Sequence, residues 1–363
     1  MKNLYLGVLL APYRLDYYNY MALHMNYEFY FLFSNADDIL FSVKDLEKQC
    51  VFTPHYLETI NIFKGRRVVR NLKKIVDQLQ PDSIIVPEFS LLTIQVILLK
   101  KLYGYKFKVV SQCDDSYAML EGEGFSKYHA WARNFCMKHL DDLILLDAKA
   151  TEWYQQHYQK GIFMPLILDE GRMEKEILIL ARKKALELKK SYQLPDQQTM
   201  LYVGRLVDVK NLFRLIDACA RLKVSYNLVI VGDGVLRKEL EEYAALRHIN
   251  VLFAGAYSGV DLYAWYCAAD VFVLPSTIEP FGSVTNEALL CGCTCCISEV
   301  AGSACLIEPG KNGYLLNPQS VEDMAQQLER SLSLAAMDKD KTNKMLFSFT
   351  EYIKHMQTAI ERL

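Results

Sequence analysis

A chain of 363 residues exceeds one ordinary hydrophobic core and divides most naturally into two domains of about 150 to 200 residues. Hydrophobic residues make up 52% and charged residues 23%, which excludes a disordered chain and fits a soluble globular one. With 41 basic against 43 acidic side chains the formal charge is -2, so no global positive field favours nucleic acid, and no nucleic-acid partner is expected.

The N-terminal "MKNLYLGVLLAPYRLDYYNY" has a short apolar run followed by tyrosines and an arginine, with no small-residue cleavage site, and predicts a first strand rather than a signal peptide. Strands are then expected at "YEFYFLF", "DSIIVPE", "FKVVSQ" and "DDLILLD", with "GRRVVRNLKKIVDQL" and "SLLTIQVILLKKL" as helices between some of them. The second helix lies in a stretch with roughly a dozen apolar positions, against the ~20 needed to cross a bilayer, so no membrane span is expected. Gly171 to Asp196 is charged and helical and ends at a proline turn, which suits a linker with a bracing helix.

The second half alternates more clearly: "TMLYVGRL", helix "NLFRLIDACARL", "YNLVIVGDG", helix "VLRKELEEYAAL", "INVLFAG", helix "VDLYAWYCAA", "DVFVLPS", helix "VTNEALL", "CTCCIS". Strand-helix alternation favours parallel sheets covered on both faces, so the fold class is α/β with two domains. The expected division is 1–168 and 169–344, with an amphipathic helix in 345–363 packing back on the first domain. Four of the ten cysteines, Cys291, Cys293, Cys295 and Cys296, crowd into "CGCTCCI" without a paired C-x-x-C set or a histidine, and read as buried small hydrophobes in a reducing cytosol, not as zinc ligands.

In such sheets ligands bind at the carboxyl ends of strands, so the loops there carry the chemistry. "YVGRLVDVKNL" places Arg205 and Lys210 after a strand, a fork and a point charge suited to a diphosphate leaving group. "VIVGDGVLRKEL" offers Gly232 and Gly234 to a tight turn into a helix N-terminus but lacks the third glycine of G-x-G-x-x-G, a weak signal for a dinucleotide. "FAGAYS" puts Gly255 where a ligand could approach the backbone. In "STIEPFGSVTNEALLCG" the helix is expected to start near Ser283 as N-cap, with Glu279 in the loop and Glu287 one turn into the helix. The free amides of Gly282, Ser283 and Val284 attract anions, whereas carboxylates accept hydroxyls of sugar and ribose. Phosphate-binding groups beside hydroxyl-binding ones describe a nucleotide diphosphate sugar better than an acid-base dyad.

The run from Leu201 to Asn317, with its Gly-Arg-x-Leu and Lys loop, its strand ending Pro-Ser and its two glutamates eight positions apart, resembles the donor half of family 4 glycosyltransferases (group 1) of the bacterial surface-glycan type. The resemblance implies the GT-B fold, two facing Rossmann-like domains with a deep interdomain cleft, and transfer of a glycosyl group with retention. It implies that Arg205 and Lys210 hold the diphosphate, that Glu279 binds donor-sugar hydroxyls and that Glu287 binds the ribose diol. Gly204 belongs to the same phosphate loop, and the backbone about Phe281, Gly282, Ser283 and Val284 would hold the distal phosphate and sugar. Gly255 and Tyr257 lie where the base is read. No cofactor and no metal are expected, because two cations and a helix start stabilise the leaving group. The sequence departs from the family pattern in two places: Thr285 and Asn286 stand where apolar residues are common, and Ser303, near the donor's phosphates or sugar, replaces the second glycine of a Gly-Gly pair.

The first half is expected to bind the acceptor, a glycan or lipid-linked hydroxyl. "APYR" resembles the short first loop of some of these enzymes, which makes Arg14 a substrate-contact candidate. Asp114 occupies the place of a histidine found in relatives and is a candidate catalytic group on the acceptor hydroxyl, beside Arg205, Lys210 and Glu279. Glu88, at the end of "IVPE", is a second acceptor-side candidate. A cytoplasmic protein is expected, and a basic helix over Lys64, Arg66, Arg67, Arg70, Lys73 and Lys74 is either a contact for anionic lipid or a lipid-linked phosphate at the inner membrane face, or a solvated helix face. A nucleotide-sugar epimerase on the same fold and a non-catalytic nucleotide-sugar-binding subunit are the alternatives, and a dehydrogenase is the weakest for want of the full glycine fingerprint.

Overall fold

The computed structural model describes residues 2–34, 42–63, 66–121, 127–338 and 340–363. Two compact units emerge, Met1–Leu166 with Thr350–Leu363, and Ile167–Phe349.

In the first unit the strands are β1 (Asn3–Leu9), β2 (Tyr27–Phe33), β3 (His55–Tyr56), β4 (Thr59–Phe63), β5 (Arg66–Val69), β6 (Ser83–Pro87), β7 (Lys108–Cys113), β8 (Asp142–Leu145) and β9 (Ile162–Phe163). Seven of them form one sheet in the order β3-β2-β1-β6-β7-β8-β9, every pair parallel. The central strands are nearly unbroken apolar runs, with Leu4, Leu6, Ile84, Ile85, Val86, Val109, Val110, Leu143 and Ile144 buried. That composition follows from helices covering both faces of a parallel sheet. The strand order reverses between β1 and β6, and this switch point opens a crevice beyond their carboxyl ends.

The basic stretch is not one helix. β4 and β5 pair as an antiparallel hairpin in which Thr59 faces Val69 and Ile60 faces Val68, and the helix starts only at Leu72 and runs to Leu79. Val68 and Val69 have a partner in the β-branched segment upstream, and pleated pairing suits them better than a helix turn. Arg67 therefore lies on a strand with its guanidinium 4.7 Å above the Phe33 ring, while Lys73 lies on the helix and pairs with Asp77 at 2.5 Å. Lys64 lies outside the described residues. No continuous basic helix face results.

The second unit holds β10 (Thr199–Val203), β11 (Asn227–Val231), β12 (Val251–Gly255), β13 (Val271–Leu274), β14 (Thr294–Ser298) and β15 (Gly313–Leu316) in the order β12-β11-β10-β13-β14-β15, again all parallel. Counted from β10 this is the doubly wound order 3-2-1-4-5-6, with its switch point between β10 and β13. Tyr202, Trp265, Tyr266, Phe272 and Phe349 are the largest fully buried side chains of its core. Cys291, Cys293, Cys295 and Cys296 are buried free thiols, as expected for small hydrophobes. Among the described residues no group of three or more His, Cys, Asp or Glu side chains is arranged to hold a metal ion, and no helix is long and apolar enough to cross a membrane.

The last helix, Phe349–Glu361, begins in the second unit, where the Phe349 amide donates to the Glu170 carboxylate at 3.0 Å. From Thr350 on the chain belongs to the first unit, burying Ile353 and Met356 and setting the Tyr352 ring 5.9 Å from Phe163.

Candidate active site

In the second unit the loops after β10 and β13 are tied together before any ligand is considered. Asn211, in the left-handed conformation at φ 61°, donates from its side-chain amide to the Pro275 carbonyl at 3.0 Å and the Pro318 carbonyl at 2.8 Å. The Thr277 amide donates to the Val209 carbonyl at 2.9 Å. These crosslinks bring Lys210, at the end of the short turn Asp208–Lys210, against Glu279, and the two side chains form an ion pair with only 14% and 11% exposure. Ser276 Oγ adds a bond to the same Glu279 oxygen at 3.3 Å. Tyr202, fully buried below them, donates its hydroxyl to the Arg205 carbonyl at 3.0 Å, and Arg205 itself is exposed at the strand end. Asn211, Ser276 and Tyr202 were not legible as site residues. Only Asn211 carried a signal, an asparagine directly after a short turn, where the left-handed conformation is best tolerated.

The glycines of "VGDG" have a different task from the one expected. The next helix starts at Arg237, beyond both of them. A Cβ on Gly232 would stand 1.9 Å from the Gly204 carbonyl oxygen, so the glycine is there because two loop backbones touch. Gly204 donates to the Val231 carbonyl at 3.0 Å, and Gly232 donates to the Gly255 carbonyl at 2.8 Å, which laces the three strand ends β10, β11 and β12 into one platform. Tyr257, just past Gly255, turns its hydroxyl to Tyr192 at 2.7 Å and its ring edge to Trp265 at 5.9 Å.

The helix carrying Glu287 spans Val284–Leu290 as expected, but Ser283 does not cap it. Ser283 already has helical backbone angles, φ -55° and ψ -25°, so its hydroxyl makes no cap bond, and the chain reversal is made instead by Gly282 at φ 90°. A Cβ on Gly282 would meet Leu274 at 2.8 Å. Phe281 is buried, and Ser283 and Val284 are half-buried, with amides that precede the first helical hydrogen bond. Glu287 accepts the Tyr266 hydroxyl at 2.8 Å; burial pushes its carboxyl above the usual range, and the Tyr266 and Tyr263 hydroxyls oppose that shift.

The two departures at Thr285 and Ser303 are partners. Their hydroxyls meet at 2.8 Å and both residues are fully buried. Asn286 is equally structural, accepting the Leu168 amide at 2.9 Å and donating to the Met345 sulfur at 3.2 Å. Thr285→Val should therefore cost about 1–3 kcal/mol by leaving the Ser303 hydroxyl unpaired, while Thr285→Val with Ser303→Ala should cost less than the sum of the singles, as read by denaturant unfolding of the three variants.

In the first unit the switch point between β1 and β6 gathers Arg14, Glu88 and Asp114. They line a cavity of about 410 Å³ with Tyr5, Tyr13 and Gln112. Arg14 is buried and donates to Asp114 at 2.5 Å, so it serves Asp114 rather than standing free. Glu88 is held at φ 35°, a left-handed conformation unusual for glutamate, by three bonds. Its amide donates to the Gln112 carbonyl at 2.7 Å, and its carbonyl accepts the Thr93 and Ser111 hydroxyls, each at 2.8 Å. Burial, with the negative charges of Asp114 and Asp115 nearby, pushes the Glu88 carboxyl up to about 7.

Residues 184–345 match the family model described as glycosyl transferases group 1. An uncharacterized glycosyltransferase of Methanocaldococcus jannaschii is 36% identical over 143 residues, 38% of this chain and 36% of that protein. The N-acetylgalactosamine-N,N'-diacetylbacillosaminyl-diphospho-undecaprenol 4-alpha-N-acetylgalactosaminyltransferase of Campylobacter jejuni is 33% identical over 148 residues, 40% of each chain. The chain thus aligns with well under half the length of these curated relatives. Among solved structures, Anabaena HepE in complex with UDP superposes with a TM-score of 0.76 at 18% identity, covering 100% of both chains. The fold is that of the GT-B class, with two Rossmann-like α/β domains.

Proposed function

We propose that this protein is a retaining glycosyltransferase of the family 4 type, moving a sugar from a nucleotide diphosphate donor to a hydroxyl of a glycan or lipid-linked acceptor in surface polysaccharide or lipopolysaccharide assembly. The observation that carries the reading is the Lys210–Glu279 pair at the switch point of β10 and β13, next to the Gly282 turn and the helix of Glu287. The group 1 match over residues 184–345 and the UDP named with Anabaena HepE support a nucleotide sugar as the ligand. The lipid-linked substrate in the Campylobacter relative's name supports a surface-glycan acceptor.

In this reading Lys210 and Arg205 take the two phosphates and stabilise charge as the sugar–phosphate bond breaks. The amides of Gly282, Ser283 and Val284 complete that anion site. Glu279 accepts a hydroxyl of the donor sugar, and its bond to Lys210 fixes the lysine's direction before donor arrives. Glu287, already steadied by Tyr266, accepts the ribose diol, and the platform at Gly255 and Tyr257 faces the base. The departing diphosphate oxygen receives the proton of the acceptor hydroxyl as that hydroxyl attacks from the same face, which gives retention. Asp114, oriented by Arg14, holds the accepting hydroxyl. The cations and amides cover the charge that develops, so neither metal nor cofactor enters these steps.

A thermal-shift screen with UDP-, GDP-, ADP- and CMP-sugars, followed by hydrolysis assays on any hit, tests the donor site. At ligand concentrations of about 100 Kd one of them should stabilise the fold by about 2.7 kcal/mol. If no nucleotide moves the melt, the donor reading fails; conversion of the nucleotide sugar without cleavage would favour the epimerase.

A further inference from the structure

Resting on the reading that the first unit holds the acceptor, the charge inventory of its cavity narrows what that acceptor is. Among the described residues lining the cavity, Arg14 is the one cation and Glu88 and Asp114 are the anions. Arg14 is buried and already engaged by Asp114 at 2.5 Å, so its charge is neutralised within the protein. The Asp114 backbone amide points at the Glu88 carboxyl, and Asp115 lies behind, bound by the Tyr154 hydroxyl at 3.0 Å. Tyr5 gives its hydroxyl to the Gln112 side-chain oxygen at 2.7 Å, which leaves the Gln112 amide nitrogen as a donor. Glu88 and Asp114 thus offer carboxylate oxygens as acceptors, and the exposed Tyr13 ring, with the Arg14 guanidinium 5.8 Å over one face, offers its other face.

One further fact marks this as a built site. Glu88 keeps its left-handed backbone because Thr93, Ser111 and the Gln112 carbonyl hold it there, and such strain persists where the surroundings over-determine it. Carboxylates with no uncommitted cation accept hydrogen bonds from hydroxyl or ammonium groups and repel anions.

We propose that the cavity between the ends of β1, β6 and β7 takes the terminal sugar ring of the acceptor through its hydroxyls or a protonated amine, with Glu88 as the binding carboxyl, and rejects rings that carry a carboxylate or phosphate. The specificity lies in Glu88, not in Arg14: the buried arginine, expected from the sequence as a substrate contact, is spent on orienting Asp114. An acceptor sugar with its phosphate on the ring itself does not fit, whereas a lipid-linked phosphate beyond a first neutral sugar does.

Saturation-transfer NMR on the full chain at millimolar sugar and pH 8, where the Glu88 carboxyl is ionised, tests this with methyl glucoside, galactoside and mannoside, methyl glucosaminide, methyl glucuronide and glucose 6-phosphate. At least one neutral or amino sugar should bind, and the two acidic probes should bind at least about tenfold more weakly, as like-charge juxtaposition requires. Glu88→Ala should remove the neutral-sugar signal. Glu88→Gln keeps the shape of the side chain and should bring the acidic probes close to parity with the neutral ones. Acidic probes binding as tightly as neutral ones, no neutral or amino probe binding, or unchanged preferences in both variants would overturn the inference. Nucleotide titration of the same sample reports separately on the donor reading, so absent nucleotide binding and absent sugar discrimination are distinguishable failures.

Discussion

Lys210→Ala is expected to reduce sugar transfer by about 10²- to 10³-fold, the loss typical of removing one preorganised group that stabilises a developing negative charge. The lysine is also half of a largely buried ion pair, so the same change strands Glu279 and should lower stability by about 2 kcal/mol. The two effects separate in a second variant. Lys210→Met with Glu279→Gln removes both charges and should recover most of the lost stability, yet turnover should stay at the level of Lys210→Ala or below. Steady-state kinetics beside denaturant melts of the three proteins check this, and transfer that recovers together with stability would assign Lys210 a structural role only.

Glu88→Gln should make the protein more stable at pH 8 by about 3 kcal/mol and change little at pH 4. The sign follows from where the proton sits. Burial, then Asp114 and Asp115, raise the Glu88 carboxyl to about 7, above its ordinary value of 4.5. Between those values the folded chain holds a proton that the unfolded chain has lost, so stability falls as pH rises through that window. The full cost is present above about pH 7, and the rise from 4.5 to about 7 corresponds to about 3 kcal/mol. Glutamine keeps the shape and removes the titration, so the pH dependence of unfolding between 4.5 and 7 should flatten in the variant. An unchanged slope would mean that Glu88 is not the group taking up the proton.

Strands β10 to β14 and the helices between them were legible because most of these strands are short apolar runs beside a glycine or proline, whereas β15 and the helix Val321–Met337 were not among the expected elements. "VTNEALL" appears as the helix Val284–Leu290 with no residue to spare. Lys210 and Glu279 were legible as residue types at strand ends, but their pairing was not. It depends on Asn211 bridging to Pro275 and Pro318, contacts 64 and 107 residues away along the chain. Ser283 failed as a cap because Gly282 makes the turn one residue earlier than the capping rule assumes. The stretch from Arg66 to Leu79 misled for a different reason. Its apolar residues Val68, Val69, Leu72, Ile75, Val76 and Leu79 recur at helical spacing, and a local pattern does not reveal that Thr59–Phe63 is waiting as a strand partner. Glu88 stood out only as an acid after a strand. Its strain, its cavity and its raised carboxyl all come from Thr93, Ser111, Asp114 and Asp115, which reach it by tertiary contact.

The central claim is cleavage of a sugar–phosphate bond with retention at the site of Lys210 and Glu279. Proton NMR of the anomeric region tests it most directly, following each stabilising nucleotide sugar with water as the acceptor and reading the first sugar released before it mutarotates. The wild-type protein should release nucleoside diphosphate and a sugar with the anomeric configuration of the donor, with Lys210→Ala slower by about 10² or more. An inverted sugar, an epimerised but intact donor, or a donor left untouched by the wild-type protein would contradict it.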